Sequence, residues 1–252
     1  MPDHIGEAIL LVLELSIMFL ATRLASNRSI KPADIFDLGK IEEWIQDAGS
    51  MKRPVFFTTG TGSVGSPDTL AGIDLLRYVS KICVQHNAPM IVANADLNVQ
   101  QVTEEVVKEA YVNSGRLNEY SPDSVRYLSS SIFGYAAGVM GLLRRERPMV
   151  NFFVGDFAAE ALIVTEAGRS VTSHQFGGTS SVVEMPVFLA TCDQTLIGSE
   201  LYAAQSYLTS DAQATSRLFG EDAGKVVALL LVIVGVVLFS FGNGLLTGLI
   251  GH

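Results

Sequence analysis

The sequence predicts an α/β fold, a Rossmann-like three-layer sandwich with a mostly parallel sheet, flanked by an N-terminal and a C-terminal transmembrane helix. Short apolar runs typical of buried strands alternate with longer amphipathic segments through the middle of the chain. This alternation favours a parallel sheet with helices on both faces. Two long apolar stretches, residues 5–24 and 226–250, bracket this region, and roughly 20 apolar residues span a bilayer as a helix.

The composition limits the class of protein. The chain has 252 residues, of which 48% are hydrophobic, and a formal net charge of -9. An acidic chain is a poor partner for nucleic acid, whose phosphates need a basic surface. Cys83 and Cys192 lie far apart and form no CxxC or Cys/His cluster, so no cysteine-based metal site is predicted.

The two apolar stretches also set the expected domain boundaries. We expect transmembrane helices over 1–25 and 223–252, an amphipathic linker helix over 26–50 and an α/β domain over 51–222. Arg23 and Arg28 follow the first stretch and Lys225 precedes the second, and basic residues mark the cytoplasmic flanks of membrane spans. The central domain is therefore expected at the cytoplasmic face of a prokaryotic cell membrane, with both termini on the opposite side.

Residues 33–49 form a short amphipathic segment. Its apolar residues recur at helical spacing, with Trp44 at the edge of the stripe. Because Trp is common at membrane interfaces, one interpretation is a helix lying on the membrane. The alternative is that the stripe packs on the domain.

The elements of the domain follow from local patterns. Buried-strand runs lie at 54–59, 89–95, 124–129, 149–155, 170–176 and 185–192. Helical patterns occupy 66–86, 98–113, 131–146, 156–167 and 193–209. Ser66 followed by Pro67 is a typical helix start.

A glycine-rich loop joins the first strand to the first helix of the domain. The segment from Gly60 through Gly62 to Gly65 matches GxGxxG, in which glycines let the backbone approach a phosphate at a helix N-terminus. A nucleotide would then be held by these glycines with Asp96 near the ribose, although Asp96 lies farther along the chain than the fingerprint expects. Asp68, in the first turn of the helix, would repel a phosphate. The alternative is a tight loop that binds nothing, and no cofactor is predicted.

Polar side chains follow several of the predicted strands. Because open parallel sheets bind ligands at the carboxyl ends of their strands, the candidates at that edge are Thr59, Asn94, Asp96, Asn98, Asp156, Glu160, His174 and Asp193. Asp156, Glu160 and His174 could form a metal or acid–base cluster. The alternative is that Asp156 is a helix N-terminal acid and His174 a polar strand residue. Catalytic residues stay unknown, because no complete catalytic motif is present.

Three residues of the predicted spans have candidate roles. Glu14 lies midway along the first span, where an ionised carboxylate is costly. A ring of Glu14 carboxylates in an oligomer could bind or relay cations; a protonated Glu14 hydrogen-bonded between helices is the alternative. Gly244 and Gly248 form a GxxxG motif in the second span, which favours close helix packing in lipid.

Four segments carry a family resemblance. They are residues 68–73 (DTLAGI), 105–111 (EVVKEAY), 151–155 (NFFVG) and 192–202 (CDQTLIGSELY). In their order and spacing, they resemble a prokaryotic family of membrane-anchored proteins known only as a domain of unknown function. The resemblance covers most of residues 50–235. It implies the anchored architecture and brings no catalytic residues.

Three hypotheses of function follow. The first is a non-enzymatic, membrane-anchored cytoplasmic domain that self-associates as a scaffold or serves as a subunit of a membrane complex. Its partners would be the lipid bilayer, further copies of the chain and other subunits, with no nucleic acid. The alternative is a nucleotide- or small-ligand-binding sensor or enzyme at Gly60–Gly65. The third is an ion-translocating oligomer acting through Glu14.

Overall fold

The structure is a computed structural model that describes residues 38–171 and 174–208. The helices are α1 (Leu38–Met51), α2 (Pro67–Gln85), α3 (Leu97–Asn113), α4 (Ile132–Glu146), α5 (Glu160–Arg169), α6 (Met185–Thr191) and α7 (Ser199–Leu208). The strands are β1 (Val55–Gly60), β2 (Met90–Asn94), β3 (Val125–Tyr127), β4 (Val150–Asp156), β5 (His174–Thr179) and β6 (Gln194–Ile197). Two short 3-10 turns, Leu117–Glu119 and Pro122–Ser124, precede β3.

The six strands form one sheet in the order β3-β2-β1-β4-β5-β6. Every neighbouring pair is parallel. This order is that of the doubly wound dinucleotide-binding fold, in which the chain winds outwards in both directions from the centre. The prediction of a Rossmann-like α/β domain is confirmed for the described residues.

Helices cover both faces of the sheet. One core cluster joins α1, α2, α3 and α7 to one face of the strands, and the other joins α4, α5 and α6 to the opposite face. Phe56 and Phe57, adjacent in β1, belong to different clusters, because successive strand residues point to opposite faces. Both rings are buried, which explains why β1 reads as a continuous apolar run.

Helix α1 packs on the domain. Ile41, Ile45 and Ala48 are fully buried in the core cluster that contains α2 and the central strands. The ring of Trp44 stacks on that of His174, with the centroids 4.6 Å apart. Of the two interpretations of the amphipathic stripe, packing on the domain therefore describes these residues.

The last third of the sheet differs from the prediction. Residues 185–192, expected as a strand, form helix α6, and the sixth strand lies at Gln194–Ile197 inside the expected helix 193–209. Pro186 stands in the first turn of α6, where its missing N–H costs nothing. Burial is one-sided, with Phe188 buried and Leu189 exposed. A short apolar run fits a strand or a buried helix equally well by periodicity.

The predicted transmembrane helices, 1–25 and 223–252, lie outside the described residues. So do Glu14, Gly244 and Gly248. Within residues 38–171 and 174–208, no helix is both long enough and apolar enough to cross a bilayer.

Candidate functional site

The candidate site is the crevice between the carboxyl ends of β1 and β4. These strands are neighbours, but the chain leaves β1 towards β2 and leaves β4 towards β5. Such a topological switch point opens a crevice, and it is the usual ligand position in open parallel sheets. The loops after β1 and β4 form its walls.

The glycine-rich loop packs directly on Asp156. The amides of Thr61 and Gly62 both donate to the backbone oxygen of Asp156, at 3.0 and 3.1 Å. A Cβ on Gly62 would lie 2.5 Å from the Cβ of Asp156 and 2.5 Å from Thr69 Oγ1. Gly62 is therefore needed for contact with the protein's own β4 loop, and two of the loop amides that could face a phosphate are already bound.

The crevice carries acidic side chains. Glu160 is fully buried and accepts hydrogen bonds from Thr61 Oγ1 at 2.7 Å and from the amide of Ala158 at 3.1 Å. Burial, together with the charge of Glu160, raises the pKa of Glu184 in the loop after β5. Two carboxylates, Asp156 and Glu160, at this position disfavour a phosphate by charge repulsion.

Asp68 ties three elements together. It is 7% exposed, and its carboxylate accepts hydrogen bonds from the amide of Ser180 at 2.8 Å and from the hydroxyl of Ser180 at 2.7 Å. The hydroxyl of Tyr202 donates to the same carboxylate. The first turn of α2, the loop after β5 and helix α7 therefore meet at one charge-assisted network.

Sequence reasoning missed the partners of Asp68. It placed Asp68 in the first turn of a helix, where it would repel a phosphate, and neither Ser180 nor Tyr202 stood out by motif. A signal was nevertheless present, because Asp68 and Tyr202 belong to two of the segments that carry the family resemblance, 68–73 and 192–202. Those segments meet through this network.

Asp96 and Asn94 accept hydrogen bonds from residues of helix α3. Asp96 Oδ1 accepts from the amides of Asn98 and Val99 at 2.8 and 3.0 Å, which makes Asp96 the N-cap of α3. The side chain of buried Asn94 accepts from Thr103 Oγ1 at 3.3 Å. The structure therefore gives Asp96 a capping role. The ribose contact that the sequence suggested stays a prediction.

The expected cluster of Asp156, Glu160 and His174 is wrong. Asp156 ends β4 and Glu160 begins α5, but His174 begins β5 and so lies at the opposite, amino edge of the sheet. There it stacks on Trp44, and Asp193 Oδ2 lies 4.0 Å from its Nδ1. Among the described residues, no group of three or more His, Cys, Asp or Glu side chains is arranged to hold a metal ion.

Two buried hydroxyls border the crevice without a hydrogen-bond partner among the described residues. They are Thr59 Oγ1, in β1, and Thr69 Oγ1, in the first turn of α2. Both side chains are fully buried. An unpaired buried hydroxyl costs about 1–3 kcal/mol, so these two threonines reduce the stability of the domain at the crevice.

Exposed apolar side chains lie along the carboxyl edge of the sheet. Each of them is the last residue of a strand or lies in the loop after a strand or in the first turn of the next helix. We call this set the apolar rim: Leu70, Leu97, Tyr127, Ile132, Phe133, Leu162, Val182 and Val183. Phe133 is 67% exposed, and Val182 and Val183 are each 79% exposed. All five crossovers from β1 to β5 contribute, so the rim follows the carboxyl edge.

These features define the class of protein: a doubly wound α/β domain whose glycine-rich loop at the switch point packs on the loop after β4. The chain belongs to the family described as "Domain of unknown function (DUF6754)", whose model matches residues 5–250. The resemblance to a family of unknown function is thereby confirmed, and the membrane anchoring that it implied stays a prediction. No curated protein and no solved structure matches the chain.

Proposed function

We propose that this protein is a membrane-anchored, non-enzymatic scaffold whose cytoplasmic α/β domain assembles with further copies of the chain through the apolar rim. The observation that carries the proposal is the position of the exposed apolar side chains. Thirteen large hydrophobic side chains are exposed among the described residues, and eight of them belong to the rim. Exposed apolar side chains gathered along one edge of a domain are typical of a protein contact surface.

The hydrogen-bond network of Asp68 supports a preformed contact surface. Ser180, which Asp68 holds through both its amide and its hydroxyl, precedes the most exposed rim residues, Val182 and Val183, by two and three positions. A loop fixed in this way loses little conformational entropy on binding. The two valines are therefore held in place for a partner instead of being free to fold back onto the domain.

A second copy is the partner that best fits the sequence. The predicted second span carries Gly244 and Gly248, a motif that brings helices together in lipid. Two chains joined in the membrane hold their domains at high effective concentration. A contact too weak to form between free domains would then persist between anchored ones.

The oligomeric mass tests the proposal. Because the span and rim contacts together hold the assembly, Val182→Asn/Val183→Asn should shift the mass of the purified full chain in a neutral detergent from a multiple of 27.0 kDa towards a single copy. The matched control is Val112→Asn/Leu117→Asn, because these two exposed residues lie near the amino edge; it should keep the wild-type mass. A wild-type chain that is strictly monomeric, or a control that dissociates equally, would contradict the proposal.

The two alternatives gain no comparable support. At Gly60–Gly65, the carboxylates of Asp156 and Glu160 and the occupied amides of Thr61 and Gly62 favour an internal contact over a nucleotide. Ion translocation through Glu14 stays a prediction, since Glu14 lies outside the described residues.

A further inference from the structure

An arginine-lined cavity lies at the amino edge of the sheet, opposite the apolar rim. This cavity of about 360 Å³, in the size range of small-ligand sites, opens between the end of α4 and the turn after α5. Its lining residues are Arg144, Arg147, Ser170 and Val171. Half of the lining is therefore guanidinium-bearing, in a chain whose net charge is -9.

Arg144 and Arg147 have no acidic partner in the part of the chain that the structure describes. Within residues 38–171 and 174–208, no carboxylate lies within 4.0 Å of either guanidinium, whereas Arg145 and Arg126 pair with Glu146 at 3.0 and 3.3 Å. A basic residue at a helix C-terminus is favoured by the helix dipole and often binds the last carbonyls. Neither guanidinium makes such a bond among the described residues, so both keep their N–H donors for a ligand.

The backbone that carries Arg147 is held in place. Arg147 adopts a left-handed conformation, with φ of 45°, just after α4. The guanidinium of Arg53 donates to the carbonyl of Arg147 at 2.9 and 3.0 Å and to the carbonyl of Pro148 at 2.9 Å. Arg53 thereby fixes the turn and adds a third positive charge beside it. A binding group on a fixed backbone loses less entropy when its ligand arrives.

We propose that this cavity binds a phosphate group. Two guanidinium forks can each make paired hydrogen bonds to phosphate oxygens. Ser170 lines the same cavity, but its hydroxyl already donates to the carbonyl of Ala167 at 2.6 Å, so the two arginines are the phosphate donors. The phosphate could belong to an anionic lipid headgroup or to a soluble ion, which carry the same chemistry. This site is separate from the carboxyl-edge rim and does not depend on the proposed assembly.

Binding to the full-length protein in a neutral detergent tests the site in two arms. Calorimetric titration with inorganic pyrophosphate probes the soluble source. Native mass spectrometry with phosphatidylglycerol against phosphatidylcholine probes the lipid source. Arg144→Gln/Arg147→Asn should weaken the phosphate ligand at least tenfold; Asn is chosen because it tolerates the left-handed backbone.

The matched control is Arg145→Gln, which removes a neighbouring arginine of α4 that is already paired with Glu146. The control should bind like the wild type, and thermal unfolding should show that both variants are folded. Binding in either arm that the double variant loses and the control keeps upholds the proposal and names the source. No binding in both arms, or equal binding by the double variant, would overturn it.

Discussion

Gly62 shows how a single residue separates two interpretations of the same motif. In a phosphate-binding loop the second glycine clears space for a ligand. Here the space is filled by Asp156 and Thr69, which would lie 2.5 Å from any Cβ at this position. The sequence predicted the loop and its glycines correctly, but it could not predict that β4 would place Asp156 against them. That contact depends on which strand neighbours β1.

Replacing Gly62 by Ala should therefore destabilise the domain without any ligand present. We expect a loss of about 1–3 kcal/mol in the free energy of unfolding, because the added methyl overpacks a closed contact. Gly65→Ala is the matched control, since its nearest neighbour, Ser63 Oγ, is 3.7 Å from the new Cβ. Chemical denaturation in detergent measures both, and equal stabilities would refute this account of the loop.

Asp68→Asn tests the network at the same scale. The amide keeps the shape of the side chain but removes the charge that three donors, from Ser180 and Tyr202, share. We expect a loss of about 1–3 kcal/mol in unfolding free energy. Asp47→Asn, at an exposed site on α1, should cost nothing measurable. If the two substitutions had the same effect, the network would not stabilise the fold.

At the scale of elements, the sequence predicted the central strands better than the C-terminal ones. β1, β2 and β4 are buried on both faces and bounded by clear turn residues, so their apolar runs were unambiguous. Residues 185–192 are equally apolar, yet form α6. Strand β6 has only four residues, of which one is fully buried. So short a segment shows no apolar pattern that would identify it as a strand. Only pairing with β5 makes it a strand.

A substitution in helix α1 tests whether this helix packs on the domain. Ile45→Ala should cost about 2–5 kcal/mol in unfolding free energy, because Ile45 is fully buried in the core. Glu43→Ala, on the exposed side of the helix, should be near neutral. Denaturation of the full chain compares them. If Ile45→Ala left the stability unchanged, α1 would not be part of the domain in solution.

At the scale of the whole molecule, the fold was predictable and the apolar rim was not. The alternation of strands and helices is enough to indicate a doubly wound sheet. The rim residues are scattered from Leu70 to Val183, and each alone is an ordinary exposed apolar residue. They come together because every crossover in a parallel sheet begins at the same edge. Their common position becomes visible once the strand order is known.

Cross-linking in membranes tests the central claim, that the rim meets a second copy, most directly. Val183→Cys should give a covalent dimer with a bismaleimide. Wild type and Val112→Cys should stay monomeric on a denaturing gel. The native thiols contribute little, because burial raises the pKa of Cys192 to about 12 and Cys83 is fully buried. A Val183→Cys chain that cross-links no more than Val112→Cys would contradict the assembly proposed here.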